Sequence, residues 1–175
     1  FLYISVNFLI FVFNKKVSVK KVSEIIFIGT YVVFFMYHMM LMNNSKYVWL
    51  IYIIAFGSDT FAYFTGKFFG KNKLYPEVSP NKTVEGAIGG IIGSTILSLI
   101  YFNYLSINKY FYIIIFSVSA SVFSMAGDLT ASKIKREFGI KDFGYLLPGH
   151  GGIMDRFDSV LFVAPAVYYF ISIFL

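Results

Sequence analysis

The sequence predicts an all-α fold, a polytopic transmembrane helical bundle of about six spans whose polar loops form the functional site. Three observations predict it. Only 24 of 175 residues are charged, 14%, against about a quarter in a soluble domain. With a mean hydropathy of +0.71, too little polar surface is left to keep a domain of this size in water, which argues against a soluble globular enzyme. The apolar residues form continuous runs rather than the alternation over about ten residues that marks a membrane β-barrel, so helices are the default. The basic residues are sorted onto alternate loops.

The apolar runs fall at 1–13, 25–42, 47–65, 84–102, 110–127 and 159–175. The last five are 17 to 19 residues long, about 26 to 29 Å of helix at ~1.5 Å per residue, which suits a hydrocarbon core of about 30 Å. The first run is short and has no small-residue cleavage site. It reads as what remains of a transmembrane helix in an N-terminally truncated fragment, not as a signal peptide. The second carries His38 in YHMMLM at its outer end, an interfacial polar residue without the neighbouring ligands that a metal role needs. The third contains Asp59. The fourth opens with GAIGGIIGS, whose Gly86/Gly90 and Gly89/Gly93 spacings suit helix packing rather than a nucleotide loop. The fifth ends at Asp128, and the sixth begins just after Asp155 and Asp158. The whole of 1–175 reads as one domain, with no internal repeat and no sign of the inverted halves of a transporter. The absence of cysteine excludes disulfides, thiolate metal sites and cysteine nucleophiles.

Loop 14–24 holds Lys15, Lys16, Lys20 and Lys21; loop 66–83 holds Lys67, Lys71, Lys73 and Lys82; loop 128–158 holds Lys133, Lys135, Arg136, Lys141 and Arg156. Thirteen of the fifteen basic residues thus lie on alternate loops, which predicts a multi-pass protein of the cell membrane with those loops in the cytoplasm. Residues 59–85 and 128–158 together contain 17 of the 24 charges. They mix acids with Gly, Pro, Ser, Thr and His, so the site is expected there, facing the cytoplasm.

Asp59 sits about seven residues, roughly 10 Å, inside the third run, where a carboxylate is costly and the C-terminal end of a helix dipole opposes it. Asp128 repeats the situation in the fifth. Either a cation or a structural ion pair would stabilise both. Asp155 and Asp158, three apart, project from one helical face; helix capping and a functional role both fit them. The LPGHGGIMDR segment places Gly149, Gly151 and Gly152 around His150 before a helix start. Backbone N–H groups there can turn toward an anion, and Lys135, Arg136 and Lys141 lie just upstream. VSPNKTVEG sets Ser79, Asn81, Lys82 and Thr83 at another helix N-terminus, as a second phosphate-friendly element or a polar capping turn. Hard acids with Lys, Arg and glycine turns point to Mg²⁺ and phosphates rather than zinc or iron. A nucleotide and a lipid phosphate are the economical substrates. Their reaction needs positioning and charge neutralisation, not a protein nucleophile.

These same residues carry a resemblance. SKIKREFGIKDFGYLLPGHGGIMDRFDS, residues 132–159, resembles the signature of the phosphatidate cytidylyltransferases (CDP-diacylglycerol synthases), and SDTFAYFTGKFFGKNKLYPEVSPNKTVEGAIGG and GDLT resemble the family's upstream segments. The likeness runs from about Ser58 to Pro165. It implies that CTP and phosphatidate are converted to CDP-diacylglycerol and pyrophosphate with Mg²⁺ as cofactor. Carried over by position, the catalytic set comprises Asp128, Lys135, Arg136, Lys141, Asp142, His150, Asp155, Arg156 and Asp158. Substrate binding falls to Ser79, Asn81, Lys82, Thr83, Ser132, Gly149, Gly151 and Gly152, and metal binding to Asp59, Asp128, Asp155 and Asp158. Ala131 stands in GDLTAS where bacterial members often have Glu. The implied partners are the two substrates and the bilayer, with a second copy of the chain as a possible partner and no nucleic acid, since the basic residues are confined to loops of a membrane protein. The alternatives are a related nucleotidyltransferase or lipid kinase acting on another lipid phosphate or an isoprenoid, or an ion-coupled transporter using Asp59 and Asp128.

The cysteine-free background makes the sidedness measurable. Lys73→Cys should react with a membrane-impermeant maleimide only once the cytoplasmic face is opened, and Lys109→Cys in intact cells; the opposite pattern would invert the topology.

Overall fold

A computed structural model describes residues 2–14, 17–144 and 152–175. Among them are six helices, α1 (Leu2–Phe13), α2 (Val19–Met42), α3 (Val48–Phe69), α4 (Val84–Tyr104), α5 (Tyr110–Glu137) and α6 (Met154–Phe174). A two-stranded antiparallel ribbon, β1 (Lys73–Tyr75) and β2 (Ser79–Thr83), joins α3 to α4. Helices α2 to α6 are long and apolar enough to cross a bilayer, which makes this a multi-pass membrane protein, whereas α1 has 12 residues and falls short of the ~20 that a crossing needs.

The helices outrun the apolar runs that predicted them. Hydropathy marks where side chains change character, but backbone hydrogen bonding continues as long as the residues favour it. Thus α2 starts at Val19, with Ser18 Oγ accepting from the Lys21 N–H at 3.4 Å, and carries Lys20 and Lys21 in its first turn. Helix α5 continues ten residues past 127, so that Asp128, Ser132, Lys135 and Arg136 stand on a helix and not on the loop expected for them. Lys135 and Arg136 occupy its last turn, where cations complement the negative end of the dipole. The helix then stops at Gly139, whose φ of 66° is the left-handed conformation glycine adopts without steric cost. Gly139 N–H donates to Arg136 O and Ile140 N–H to Lys135 O, the paired closure that satisfies the last carbonyls.

The VSPNKTVEG segment, read as a phosphate-friendly element or a polar capping turn, forms the second strand of the ribbon and the start of α4. Glu85, in the first turn of α4, accepts from Lys71 N at 3.1 Å, Asn72 N at 3.2 Å and Asn72 Nδ2 at 2.8 Å, clasping the start of the ribbon to its end. Thr83 Oγ1 caps α4 by accepting from Gly86 N at 3.1 Å.

Helix α3 packs most extensively on α4, and α5 lies against both α4 and α6. The glycine ridge of α4 permits the first contact. A Cβ at Gly90 would lie 2.7 Å from Ser58 O, and one at Gly86 2.8 Å from Ala62 O, so backbone meets backbone, as small residues allow in membranes. Ser94 and Ser121 join α4 to α5 through their hydroxyls at 2.5 Å. The apolar core, with Leu50, Ile54, Phe102, Ile113, Val163 and Phe170, fills the half of the bundle away from the ribbon, where Phe116 and Phe170 stack at 4.1 Å. The half nearer the ribbon holds Asp59, Lys82, Asp128 and Asp158.

Gly90→Val is expected to lower stability by about 1–3 kcal/mol through overpacking against Ser58. Ile92→Val, on the exposed face of the same helix, should change it by about 0.5 kcal/mol or less. Thermal midpoints in detergent measure both.

Candidate active site

A cavity of about 430 Å³ opens at the ribbon end. Asp59, Ala62, Tyr63 and Gly66 of α3 form one wall, Ser79, Asn81, Lys82 and Thr83 of β2 a second, and Met125 and Asp128 of α5 a third. Because α3 extends to Phe69, Asp59 is ten residues from the helix end, about 15 Å along the helix at ~1.5 Å per residue. The cavity gives its carboxylate a polar surrounding. Lys82 reaches across from β2 and forms an ion pair with Asp128.

Behind that pair the acids gather. Asp59 Oδ2 accepts from Ser159 Oγ at 3.0 Å, linking α3 to α6. The neighbouring Asp158 is buried, and its Oδ1 accepts from Ser159 N at 2.7 Å. Asp128 Oδ1 accepts from Ser132 Oγ at 3.4 Å. Asp59, Asp128 and Asp158 lie close enough for their charges to act on one another, and Lys82 is in direct contact with Asp128. Three mutually repelling carboxylates in a partly apolar setting favour any added positive charge.

Asp155 is placed differently. Its Oδ1 accepts from Lys135 Nζ at 2.7 Å, and its Oδ2 from Phe143 N at 2.8 Å and Gly152 N at 2.9 Å. Both oxygens are thereby occupied in a clasp that ties the end of α5 and the following connection to the start of α6. Lys135 also sits 5.3 Å from the centroid of the Phe143 ring, and Gly152 packs on Gly144. Although Asp155 and Asp158 share a helix, they face different company.

The structure therefore brings Ser79, Asn81, Lys82, Thr83, Asp59 and Asp128 to one cavity, with Asp158 and Ser132 against it and Lys135, Asp155 and Gly152 in an adjoining clasp. Thr83 lines the cavity while its hydroxyl oxygen is used as a cap. Arg136, Lys141 and Arg156 are exposed and Asp142 is half-buried; none of them lines the cavity. Gly149, His150 and Gly151 lie outside the described residues. Two residues went unrecognised in the sequence. Ser159 stands beside two acids in DRFDS, yet nothing local tells that it reaches Asp59 one hundred residues away. Glu85 had the visible signal of an acid in a first helical turn.

The donor chemistry of Asp59, Asp128 and Asp158, all oxygen, fits a hard cation such as Mg²⁺. Among the described residues no three acids or histidines already converge as a ligand cluster, since Asp128 is turned toward Lys82.

A family model described as "Cytidylyltransferase family" matches residues 1–174. The phosphatidate cytidylyltransferase of Bacillus subtilis (strain 168) is 45% identical over 129 residues, 73% of this chain and 48% of that protein. The phosphatidate cytidylyltransferase of Staphylococcus saprophyticus is 46% identical over 124 residues, 70% of this chain and 48% of that protein. That of Staphylococcus aureus (strain COL) is 45% identical with the same coverage. The chain spans about half the length of the curated relatives it matches.

The clasp has its own expected signature. Asp155→Asn should lower stability by about 1–3 kcal/mol by leaving the half-buried Lys135 without its charged partner, and should speed tryptic cleavage after Lys141. An Asp155 that served only as a metal ligand would instead lose turnover and keep its unfolding midpoint.

Proposed function

The chain belongs to the cytidylyltransferase family, and from that membership we propose that the protein carrying it transfers the cytidylyl group of CTP to phosphatidate, giving CDP-diacylglycerol and pyrophosphate. The single observation that carries this reading is the cavity in which Lys82, Ser79 and Asn81 face Asp59 and Asp128 at the polar end of a membrane bundle. It offers donors for a polyphosphate beside acids that call for a cation. The names of the relatives, phosphatidate cytidylyltransferase, supply the substrates proposed for it.

In this reading a phosphate oxygen of the lipid attacks the α-phosphorus of CTP, the bond from that phosphorus to the bridging oxygen breaks, and pyrophosphate leaves with the electron pair. The attacking oxygen is already anionic, so the protein need not abstract a proton. Its contribution is alignment and electrostatics. Lys82 is the cation available to the phosphates once released from Asp128, and Ser79 and Asn81 add neutral donors from the same strand. Ser159, by holding Asp59 and the backbone next to Asp158, keeps two acids in register across α3 and α6. Mg²⁺, held by Asp59, Asp128 and Asp158, would supply charge neutralisation on the transferring phosphates. The clasp of Lys135 and Asp155 fixes where α5 meets α6 and hence where Asp128 stands relative to Asp158. The site is proposed to face the cytoplasm, where CTP is made, on the strength of the loop charges.

Membranes containing the protein, given labelled CTP and phosphatidate, should form CDP-diacylglycerol. EDTA should abolish the product and Mg²⁺ restore it. Asp128→Asn should lower kcat by about 100-fold or more, and Lys82→Met should raise the KM for CTP. No CDP-lipid from inserted protein would overturn the assignment, and equal turnover of other nucleotides would move it to a related lipid enzyme.

A further inference from the structure

The ribbon-side cavity extends well beyond the acids at its inner end. Asp59, Tyr63, Gly66 and Lys67 all line it, and steps of four, seven and eight residues from Asp59 keep them on one face of α3. Lys67 is exposed and Asp59 half-buried. The eight residues between them amount to about 12 Å of helix at ~1.5 Å per residue, so Lys67 stands toward the mouth of the cavity and Asp59 toward its back.

Two cations line this space, Lys67 and Lys82, and they are held in different ways. Lys82 is paired with Asp128. Lys67 has no carboxylate partner among the described residues, and its ammonium lies 5.7 Å from the centroid of the Tyr63 ring. Tyr63 is itself 62% exposed, a ring that lines the cavity rather than packing into the bundle. An aromatic face attracts an ammonium without consuming its charge as a carboxylate would. A cation in the last turn of α3 also complements the helix dipole, but that role is open to a lysine on any side of the turn and does not require one facing the cavity.

We propose that Lys67 receives the β and γ phosphates of the nucleotide and that Tyr63 positions it for them. The inference rests on the assignment of CTP as substrate. A triphosphate brings several negative charges in a row into a cavity that already holds Asp59 and Asp128, and neutral walls alone do not offset them. Lys82 serves the phosphorus nearest the acids; Lys67 is the lining cation left for the phosphates nearer the mouth. When the bond from the α-phosphorus to the bridging oxygen breaks, its electron pair passes to pyrophosphate, and the charge that develops there is neutralised from the Lys67 side. The two lysines thereby give the cavity a direction, with the transferred group held at the back and the leaving group at the opening.

Purified full-length protein, titrated with pyrophosphate in the presence of Mg²⁺, should show a rise in its unfolding midpoint. Lys67→Met should weaken that binding by about tenfold and raise the KM for CTP to a similar degree, while inhibition by CMP, which lacks the β and γ phosphates, stays within about twofold. Lys67→Arg, which keeps the charge, should retain pyrophosphate binding within about threefold. Tyr63→Leu should weaken it by about threefold, and Tyr63→Phe, which keeps the ring, should leave it unchanged. Lys71→Met removes the same charge outside the cavity and should alter none of these values. No pyrophosphate binding by the unsubstituted protein, equal losses for CMP and pyrophosphate in Lys67→Met, or the same loss in Lys71→Met would overturn the inference. Lys67-dependent pyrophosphate binding by a protein that forms no CDP-lipid would support the phosphate site and sink the lipid assignment instead.

Discussion

The close approach of α3 and α4, in which Gly86 and Gly90 bring one backbone against Ala62 and Ser58 of the other, sets where every polar group near the ribbon can stand. Because the two helices touch along their length, the end of α3 and the start of α4 meet as well. Gly66 and Gly70 lie against Thr83, where an added Cβ would come within 2.9 Å and 2.8 Å of its Oγ1. The connection between the helices, residues 70–83, must then fold back on itself, which it does as the β1–β2 ribbon clasped by Glu85. Folding back is what aims β2, and with it Lys82, over the cavity toward α5.

The rest follows from the cost of charge in an apolar surrounding. The bundle separates its contents lengthwise: aromatic and aliphatic side chains fill the half around Phe102, Phe116 and Phe170, and the ionic groups collect in the other. There Asp59, Asp128, Asp155 and Asp158 are each met by a cation, a hydroxyl or a backbone N–H, as unpaired burial would demand. The partners differ in kind, however. Asp155 has both oxygens engaged in the clasp of α5 to α6. Asp59, Asp128 and Asp158 repel one another, with Lys82 paired to Asp128, an arrangement that a ligand of opposite sign can enter.

Much of this was legible in the chain. Five of about six expected spans, the loop charge and the two polar blocks follow from hydropathy and Lys/Arg positions, because the bilayer imposes those rules residue by residue; the first run forms a helix too short to cross. The packing role of Gly86 and Gly90 was readable for the same reason, since glycine inside an apolar span has few other uses. The division of labour between Asp155 and Asp158 was not. Both fit the start of a helix, and their partners, Lys135 and Phe143 on one side and the acids of α3 and α5 on the other, come together only in the tertiary fold. Nor could hydropathy show that Asp128 to Arg136 remain helical, because charge ends an apolar run without ending a helix.

That continuation of α5 has a geometric meaning of its own. At 28 residues it measures about 42 Å at ~1.5 Å per residue, against about 30 Å of hydrocarbon, so its last turns stand clear of the oily slab like a post at headgroup height. Asp128 is set near the foot of that post and Lys135 near its top. A molecule tethered by its tails would meet these groups without being lifted out of its leaflet. Its search for the site would be a two-dimensional one along the membrane plane, ended by contact with a fixed upright.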